Sequence, residues 1–167
     1  MCSEIEKYRK EIRGYLEDDS AAIFGNYTKE HAACVTELFI ESAQSSIEIL
    51  SGCFPEEFYD TKGLCELLQD AKDRRGVEIR VITLCDETSE KLLQLANMGK
   101  IEYRPARASK EPVSHFMIVD NKRYRLEMPH GENPKYVKAE VCCNGSKKAN
   151  ALLKCFNDAW ESLRPGA

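Results

Sequence analysis

The side chains best suited to chemistry lie close together in the C-terminal half of the chain. His115 and His130 carry imidazoles, which can transfer protons near neutral pH or act as nucleophiles. Glu127 could accept a proton. Positive charge for phosphate oxygens could come from Lys122, Arg123, Arg125 and Arg107. These residue types predict a candidate phosphate site between residues 107 and 130.

A wider basic group could instead bind a nucleic-acid backbone. Tyr103 and Tyr124 are interleaved with it and could stack on bases. Its members are Arg104, Arg107, Lys110, Lys122, Arg123 and Arg125. Residues 100–148 hold 6 acidic and 11 basic side chains, whereas residues 1–60 hold 13 acidic and 5 basic ones. The basic half could therefore face a phosphate-bearing ligand, solvent, or the acidic half of a second copy.

Each candidate also has a structural interpretation. The apolar run from His115 to Asp120 predicts a strand, and Asn121-Lys122 predicts a tight hairpin turn into a strand over Arg123 to Glu127. His115 could bond to Asp120 or to the backbone, and Asp120 could form the turn. Arg123 and Arg125 could point outward from an edge strand, with Glu127 as the partner of one of them.

The remaining elements predict an α/β fold, a mixed sheet flanked by helices on both faces. Helices are expected over about 3–17, from Thr28, over 64–75, over 87–97 and from Gly145 onward, with strands at 47–51, 77–84, 101–104 and 136–143. Gly25-Asn26 predicts a turn, and residues 52–61 predict a loop. Residues 1–27 are expected to be an N-terminal helical extension of a single domain over 28–167.

Composition narrows the class of protein. The chain of 167 residues is 43% hydrophobic and 31% charged, and its longest apolar runs fall far short of a membrane span. The eight cysteines contain no C-x-x-C pair, so we expect reduced thiols in the core rather than a zinc site. The opening residues lack the pattern of a signal peptide, and a cytoplasmic protein is expected.

The segment Val113-Ser114-His115-Phe116-Met117-Ile118-Val119-Asp120-Asn121-Lys122 resembles the core motif of the phospholipase D superfamily. That motif is His, any residue, Lys, four residues and Asp, at the start of an apolar strand followed by a hairpin. The resemblance extends over about 28–163. It implies a phospho-histidine mechanism without a metal or other cofactor, in which a chain with one motif pairs with a second copy.

The motif is eroded in either register. With Asp120 as the motif aspartate, His115 occupies the lysine position and Val113 the position of the attacking histidine. With His115 as the attacking histidine, Met117 and Lys122 occupy the lysine and aspartate positions. Active members continue with Gly-Ser and then Asn, where this chain has Glu127, Met128 and His130. The candidate catalytic set is therefore His115, Asp120, Glu127 and His130.

These observations predict a catalytically degenerate phospholipase D-like homodimer with a binding or regulatory role, which holds a phosphate-containing ligand or a protein partner. The dimer is expected partly because Phe54, Pro55, Phe58, Tyr59 and the hairpin would need cover. A metal-independent phosphodiesterase or nuclease with a rearranged histidine site is one alternative. A protein-interaction module that binds no phosphate is the other.

Overall fold

A computed structural model describes residues 3–52, 56–59, 63–84, 88–106, 113–129 and 138–164. Along the chain the elements are α1 (Glu4–Glu17), β1 (Ile23–Asn26), α2 (Lys29–Ser42), β2 (Ser46–Ser51), α3 (Glu56–Tyr59), α4 (Leu64–Arg75), β3 (Glu78–Thr83), α5 (Glu90–Asn97), β4 (Glu102–Pro105), β5 (Phe116–Val119), β6 (Arg123–Glu127), β7 (Ala139–Cys142) and α6 (Ser146–Ser162).

The strands form one mixed sheet in the order β1-β7-β6-β5-β2-β3-β4. β2, β3 and β4 are parallel, and the remaining neighbours are antiparallel. Helices cover both faces: α1, α2, α4 and α5 pack on one face, and α6 packs on the other. The α/β prediction is therefore confirmed. None of the described helices is long and apolar enough to cross a membrane.

Local sequence signals explain where several helices begin and end. At the start of α1, Ser3 and Glu6 form the capping box that the sequence predicts. Thr28 caps α2 by accepting a hydrogen bond from the amide of His31. Helix α4 ends at Gly76, whose φ of 69° is in the left-handed region that glycine adopts without steric cost.

The β5–β6 turn lies one residue earlier than the sequence indicates. Asp120 and Asn121 both have positive φ, at 53° and 56°, and the amide of Lys122 donates to the carbonyl of Val119. Positive φ at both central residues is the geometry of the tight turns that join twisted antiparallel strands. Asp and Asn tolerate this region better than other non-glycine residues do, so they take the central positions.

Three expectations about the N-terminal half are wrong. Gly25 and Asn26 do not form a turn, because both lie in β1, which pairs with β7. Residues 1–27 are consequently more than a helical extension, since they supply a strand of the sheet. The predicted loop 52–61 contains the short helix α3, in which Tyr59 is buried and Phe58 packs against the core.

The expectation of an edge hairpin is also wrong. Strand β6 lies between β7 and β5, so the β5–β6 hairpin is in the interior of the sheet. Arg123 and Arg125 point toward the face covered by α1 and α2, because Tyr124 and Leu126 alternate with them into the core beneath α6. Both arginines are therefore partly buried. The hairpin and Tyr59 give no physical reason for a dimer.

The described cysteines agree with the expectation of reduced core thiols, with one exception. Cys34, Cys65, Cys142 and Cys143 are buried free thiols, whereas Cys155 is exposed on α6. Burial raises the pKa of the Cys143 thiol to about 11, which keeps it protonated and unreactive near neutral pH. Cys2, Cys53 and Cys85 lie outside the described residues.

Candidate functional site

One end of the sheet collects polar side chains from several strands. β1, β2, β3 and β6 end there, and β5 begins there, so Asn26, Ser51, Thr83, Glu127 and His115 lie in one row across the sheet. We call this row the site end. In α/β sheets, ligands commonly bind beyond the carboxyl ends of the parallel strands, because the loops that follow those strands leave a crevice there.

His115 and Glu127 form the centre of the site end. His115 directly precedes β5 and lies opposite Glu127 at the end of β6, where the Glu127 amide donates to the His115 carbonyl at 2.8 Å. His115 Nδ1 lies 3.8 Å from Glu127 Oε1. On its other side the imidazole lies against Gly52, where an added Cβ would come within 2.5 Å of Nε2. The imidazole therefore occupies a slot between the end of β2 and the carboxylate.

Arg125 lies beneath the same carboxylate. Its Nη1 is 3.0 Å from Glu127 Oε2, and both side chains are largely buried. In the amide orientation that satisfies its surroundings, the Asn26 side-chain oxygen accepts from Arg125 Nε at 3.3 Å and from the amide of Ala32 at 3.1 Å. The guanidinium is thus neutralised by Glu127 and fixed in place by Asn26.

Two phenols adjoin this ion pair. Burial raises the pKa of Tyr59 above its ordinary range, while the charge of Arg125 lowers it and that of Glu127 raises it. Burial likewise raises the pKa of Tyr8, whose ring stacks on His31 with a centroid separation of 4.0 Å. Both hydroxyls remain protonated at neutral pH, so neither adds charge to the site end.

Two other predicted site residues, Asp120 and Arg123, lie at the opposite end of the sheet. Asp120 and His115 flank β5 on either side and are five residues apart, roughly 16 Å in an extended strand. Asp120 accepts hydrogen bonds from the amides of Gln44, Ser45 and Ser46 and from the Ser45 hydroxyl. Arg123 Nη1 donates to its Oδ2 at 2.9 Å. The Asp120 carboxylate therefore fastens the α2–β2 connection to the hairpin.

Two further predicted cations, Lys122 and Arg104, contact other parts of the fold. Lys122 Nζ lies 2.6 Å from Asp19 Oδ1, where the end of α1 meets the hairpin. Arg104 stacks on the Trp160 ring and donates to the Trp160 carbonyl. Arg107, Lys110 and His130 lie outside the described residues. Among the described residues of the predicted set, the structure thus brings together only His115, Arg125 and Glu127.

The position expected for an attacking imidazole is apolar. Val113, two residues before His115, is exposed, as are Met128 after β6 and Tyr27 after β1. No cluster of three metal-ligating side chains occurs among the residues that the structure describes. Besides the polar side chains of Asn26, Ser51 and Thr83, the described part of the site end therefore offers one imidazole, one internally neutralised ion pair and three exposed apolar groups.

Sequence reasoning missed Asn26, Gly52 and Tyr59 at this site. The Gly25-Asn26 pair is typical of turns, and that local signal concealed a strand. Gly52 becomes a neighbour of His115 through the pairing of β2 with β5, and Tyr59 on α3 adjoins Arg125. No local pattern specifies either contact. The alternation on β6 did place Arg123, Arg125 and Glu127 on one face, and it could have indicated a shared buried environment.

Solved structures show which fold this arrangement belongs to. Nuc from Salmonella typhimurium, described as a phospholipase D family member, matches with a TM-score of 0.63 and 22% identity, over 86% of this chain and 96% of its own. The chain has a phospholipase D-like fold. NucT from Helicobacter pylori matches with a TM-score of 0.64 and 12% identity, over 84% of this chain and 98% of its own.

A third solved structure that shares this fold belongs to a longer protein. TrmBL2, an archaeal chromatin protein whose structure shows a novel mode of DNA binding, matches with a TM-score of 0.67 and 18% identity. The match covers 95% of this chain and 62% of TrmBL2. No protein-family model and no curated protein sequence matches this chain. These likenesses establish the fold.

Proposed function

We propose that this phospholipase D-like domain binds its ligand without hydrolysing it and works as a homodimer. One observation carries the proposal: an exposed valine, Val113, stands where the family resemblance places the attacking imidazole. A valine side chain can neither attack phosphorus nor transfer a proton. The phosphodiesterase chemistry of the family needs two such imidazoles, one from each copy.

The surroundings of His115 support the same proposal. Its imidazole lies between Gly52 and Glu127, and the neighbouring Arg125 is already neutralised. Phosphoryl transfer depends on positive charge that is available to stabilise the transition state. A carboxylate beside the imidazole would instead repel a phosphodiester anion. We therefore expect no turnover of phosphodiesters at the site end.

The test is an assay without metal ions on a chromogenic phosphodiester and on a labelled single-stranded oligonucleotide. We expect the wild-type chain and His115→Ala to show the same rate as buffer. His31→Ala is the matched control, because it removes a histidine that the structure places on α2. Turnover that His115→Ala abolishes and His31→Ala preserves would overturn the proposal in favour of a rearranged phosphodiesterase site.

A nucleic acid is the ligand class that two observations favour. Residues 100–148 carry an excess of five positive charges, and the fold is shared with TrmBL2, a chromatin protein with a novel mode of DNA binding. Because Lys122, Arg123 and Arg125 each contact a carboxylate, we assign the phosphate contacts to Lys147 and Lys148, which are exposed at the start of α6. The free thiols are consistent with a reducing, cytoplasmic location.

Fluorescence anisotropy with single- and double-stranded oligonucleotides tests this assignment. Two phosphate contacts predict an affinity about tenfold lower in 200 mM than in 50 mM salt, because bound counterions are released. The pair Lys147→Glu/Lys148→Glu should abolish this salt dependence. The control pair Lys7→Glu/Lys10→Glu reverses the same number of charges on α1 and should leave it unchanged. Absence of binding in low salt would favour a protein-interaction module.

A further inference from the structure

Helix α6 leaves one side of its sheet face uncovered. It packs on β2, β5 and β6, and it is the only described helix on this face, whereas β1 lies at the edge of the sheet beyond β7. Ile23 on β1 is 64% exposed, and Tyr27 just after β1 is 52% exposed. Residues 20–28 contain no charged side chain, although 31% of the chain is charged. The region around β1 is therefore an open, largely apolar surface.

Strand pairing shows that the Tyr27 ring lies on the face covered by α6. Gly25 is opposite Glu140, and Glu140 is opposite Leu126, which packs in the cluster beneath α6. Directly opposite residues in antiparallel strands share a face. The Tyr27 ring folds back over Gly25 on this face, where its hydroxyl oxygen would be 2.6 Å from an added Cβ. The ring therefore lies against the sheet, and about half of the residue remains open to solvent.

A groove on the same face adjoins the other end of β1. Ile23 is opposite Cys142, which is opposite Tyr124. These three side chains border a groove of about 590 Å³ between β1 and the start of α6. Lys147 and Lys148 line its rim and are exposed. One face of the protein thus presents an aromatic ring at one end of β1 and two lysines at the other.

The charges nearby favour a phosphate at the lysine end. The Asp19 carboxylate beside the groove is bound by Lys122 Nζ at 2.6 Å, so it competes little for the two rim lysines. At the ring end, Glu140 lies on the same face and accepts from the Tyr124 hydroxyl at 2.6 Å. The exposed Lys138, two residues earlier on the same face of β7, offsets its charge. The ring end therefore has no net charge and favours an uncharged base.

We propose that this face binds single-stranded nucleic acid, with an unpaired base stacked on Tyr27 and backbone phosphates at Lys147 and Lys148. The inference rests on the nucleic-acid ligand of the proposed function, and it adds the strand form of that ligand and the residue that contacts a base. An aromatic ring can stack on the face of a base only where the base is unpaired. Basic side chains beside exposed aromatic rings are the means by which single-strand binding proteins hold the backbone and the bases.

The separation of the ring and the lysines fits a short segment of one strand. Ile23 and Tyr27 are four residues apart, roughly 13 Å along an extended strand. Stacked nucleotides advance about 3.4 Å each, so the lysines and the ring can contact the same strand a few nucleotides apart. The bases of a duplex are stacked inside the double helix and cannot reach the ring. A duplex would therefore contact only Lys147 and Lys148.

Fluorescence anisotropy of the full chain with a labelled strand of about 12 nucleotides, and with the matching duplex, tests the inference. In about 50 mM salt we expect the single strand to bind at least about tenfold more tightly than the duplex. Tyr27→Ala should raise the dissociation constant for the single strand about tenfold, because one stacked base is lost. The salt dependence of binding should stay that of the wild type, since no phosphate contact is removed.

Two control variants isolate the contribution of the ring. Tyr27→Phe keeps the aromatic face and should bind the single strand as tightly as the wild type. Met98→Ala removes a side chain that is 59% exposed on another part of the surface, and it should also bind like the wild type. If Tyr27→Ala does not fold, photocrosslinking of the wild-type chain to a strand that carries 5-iodouracil replaces it, and the crosslink should map to Tyr27.

The outcomes separate this inference from the proposed function. If neither nucleic acid binds in low salt, the nucleic-acid ligand of the proposed function is overturned together with this inference. Binding that needs Lys147 and Lys148 but is equally tight for strand and duplex, or is unchanged in Tyr27→Ala, would overturn this inference alone and leave that ligand standing. A crosslink that maps away from Tyr27 would do the same.

Discussion

His115 Nδ1 lies 3.8 Å from Glu127 Oε1, across the pairing of β5 with β6. The second oxygen of the same carboxylate lies 3.0 Å from Arg125 Nη1. One carboxylate therefore lies between an imidazole and a guanidinium, in a part of the sheet that is mostly shielded from water. Its negative charge stabilises the buried Arg125. Among the described residues of the predicted set, the site end therefore has no cation that lacks a neighbouring carboxylate.

The slot for His115 predicts a specific effect of Gly52→Ala. The added Cβ would lie 2.5 Å from Nε2 and 2.6 Å from Cε1, so the imidazole must move away from its position near Glu127. We expect a loss of about 1–2 kcal/mol in the free energy of unfolding, which is typical of overpacking. Urea denaturation measures it.

A double-mutant cycle separates this contact from other effects of the alanine. In a His115→Ala background there is no ring to displace, so Gly52→Ala should cost less than about 0.5 kcal/mol. An equal cost in both backgrounds would show that the strain arises in the backbone rather than at the imidazole.

Removal of the buried guanidinium should be more damaging. Arg125→Met leaves the Glu127 carboxylate and the Asn26 oxygen without their charged donor, and breaking a buried ion pair costs roughly 3–5 kcal/mol. We expect about 3 kcal/mol in urea denaturation, since both side chains keep slight exposure. Lys154→Met removes a highly exposed partner of Asp158 and should cost less than about 0.5 kcal/mol. Equal losses for the two variants would contradict the structural role assigned to Arg125.

The sequence predicted much of the fold because strong local signals agreed with each other. Alternation and turn residues located β5, β6 and α6, and caps at Ser3 and Thr28 located two helices. Strand β1 escaped detection, because four residues containing Gly25-Asn26 match a turn pattern as well as a strand. Its place at the edge depends on pairing with β7, a contact between residues more than 110 positions apart.

The candidate site was harder to predict than the fold. His115, Arg125 and Glu127 could be grouped because they belong to one hairpin with a known register. The same hairpin also suggested Lys122, Arg123 and Asp120, yet these lie at its turn, at the opposite end of the sheet. The length of the strands therefore determines which candidate side chains can contact each other. Closeness in sequence alone predicted a larger cluster than the structure contains among its described residues.

A buried hydroxyl beneath the site end predicts a substitution that, unlike the previous ones, should not lower the free energy of unfolding. Tyr8 Oη is buried and has no hydrogen-bond partner in the part of the chain that the structure describes. Tyr8→Phe should leave the free energy of unfolding unchanged or raise it by up to about 1 kcal/mol, because an unpaired polar atom is removed. Tyr124→Phe is the control: its hydroxyl donates to Glu140 at 2.6 Å, and its loss should cost about 1–2 kcal/mol. A comparable loss for Tyr8→Phe would reveal a partner for that hydroxyl.

The hydrogen bonds to Asp120 predict a stability difference that depends on pH. Burial alone would raise the pKa of the Asp120 carboxyl, but the amides of Ser45, Ser46 and Gln44 and the Ser45 hydroxyl hold the pKa below its ordinary value. Asp120→Asn keeps a side chain that tolerates the φ of 53° but loses the charge. We expect it to reduce the free energy of unfolding by about 2–3 kcal/mol at neutral pH.

The direction of the pH effect follows from the lowered pKa. Between the folded and the unfolded pKa, the unfolded chain binds more protons, so the stabilisation by Asp120 is complete above the unfolded value of about 3.9 and declines as the pH falls through the lower folded value. Urea denaturation of the wild type and Asp120→Asn should therefore converge in acid and diverge toward neutral pH. A gap between the two curves that stays constant across the acidic range would mean that the contribution of Asp120 does not depend on its charge.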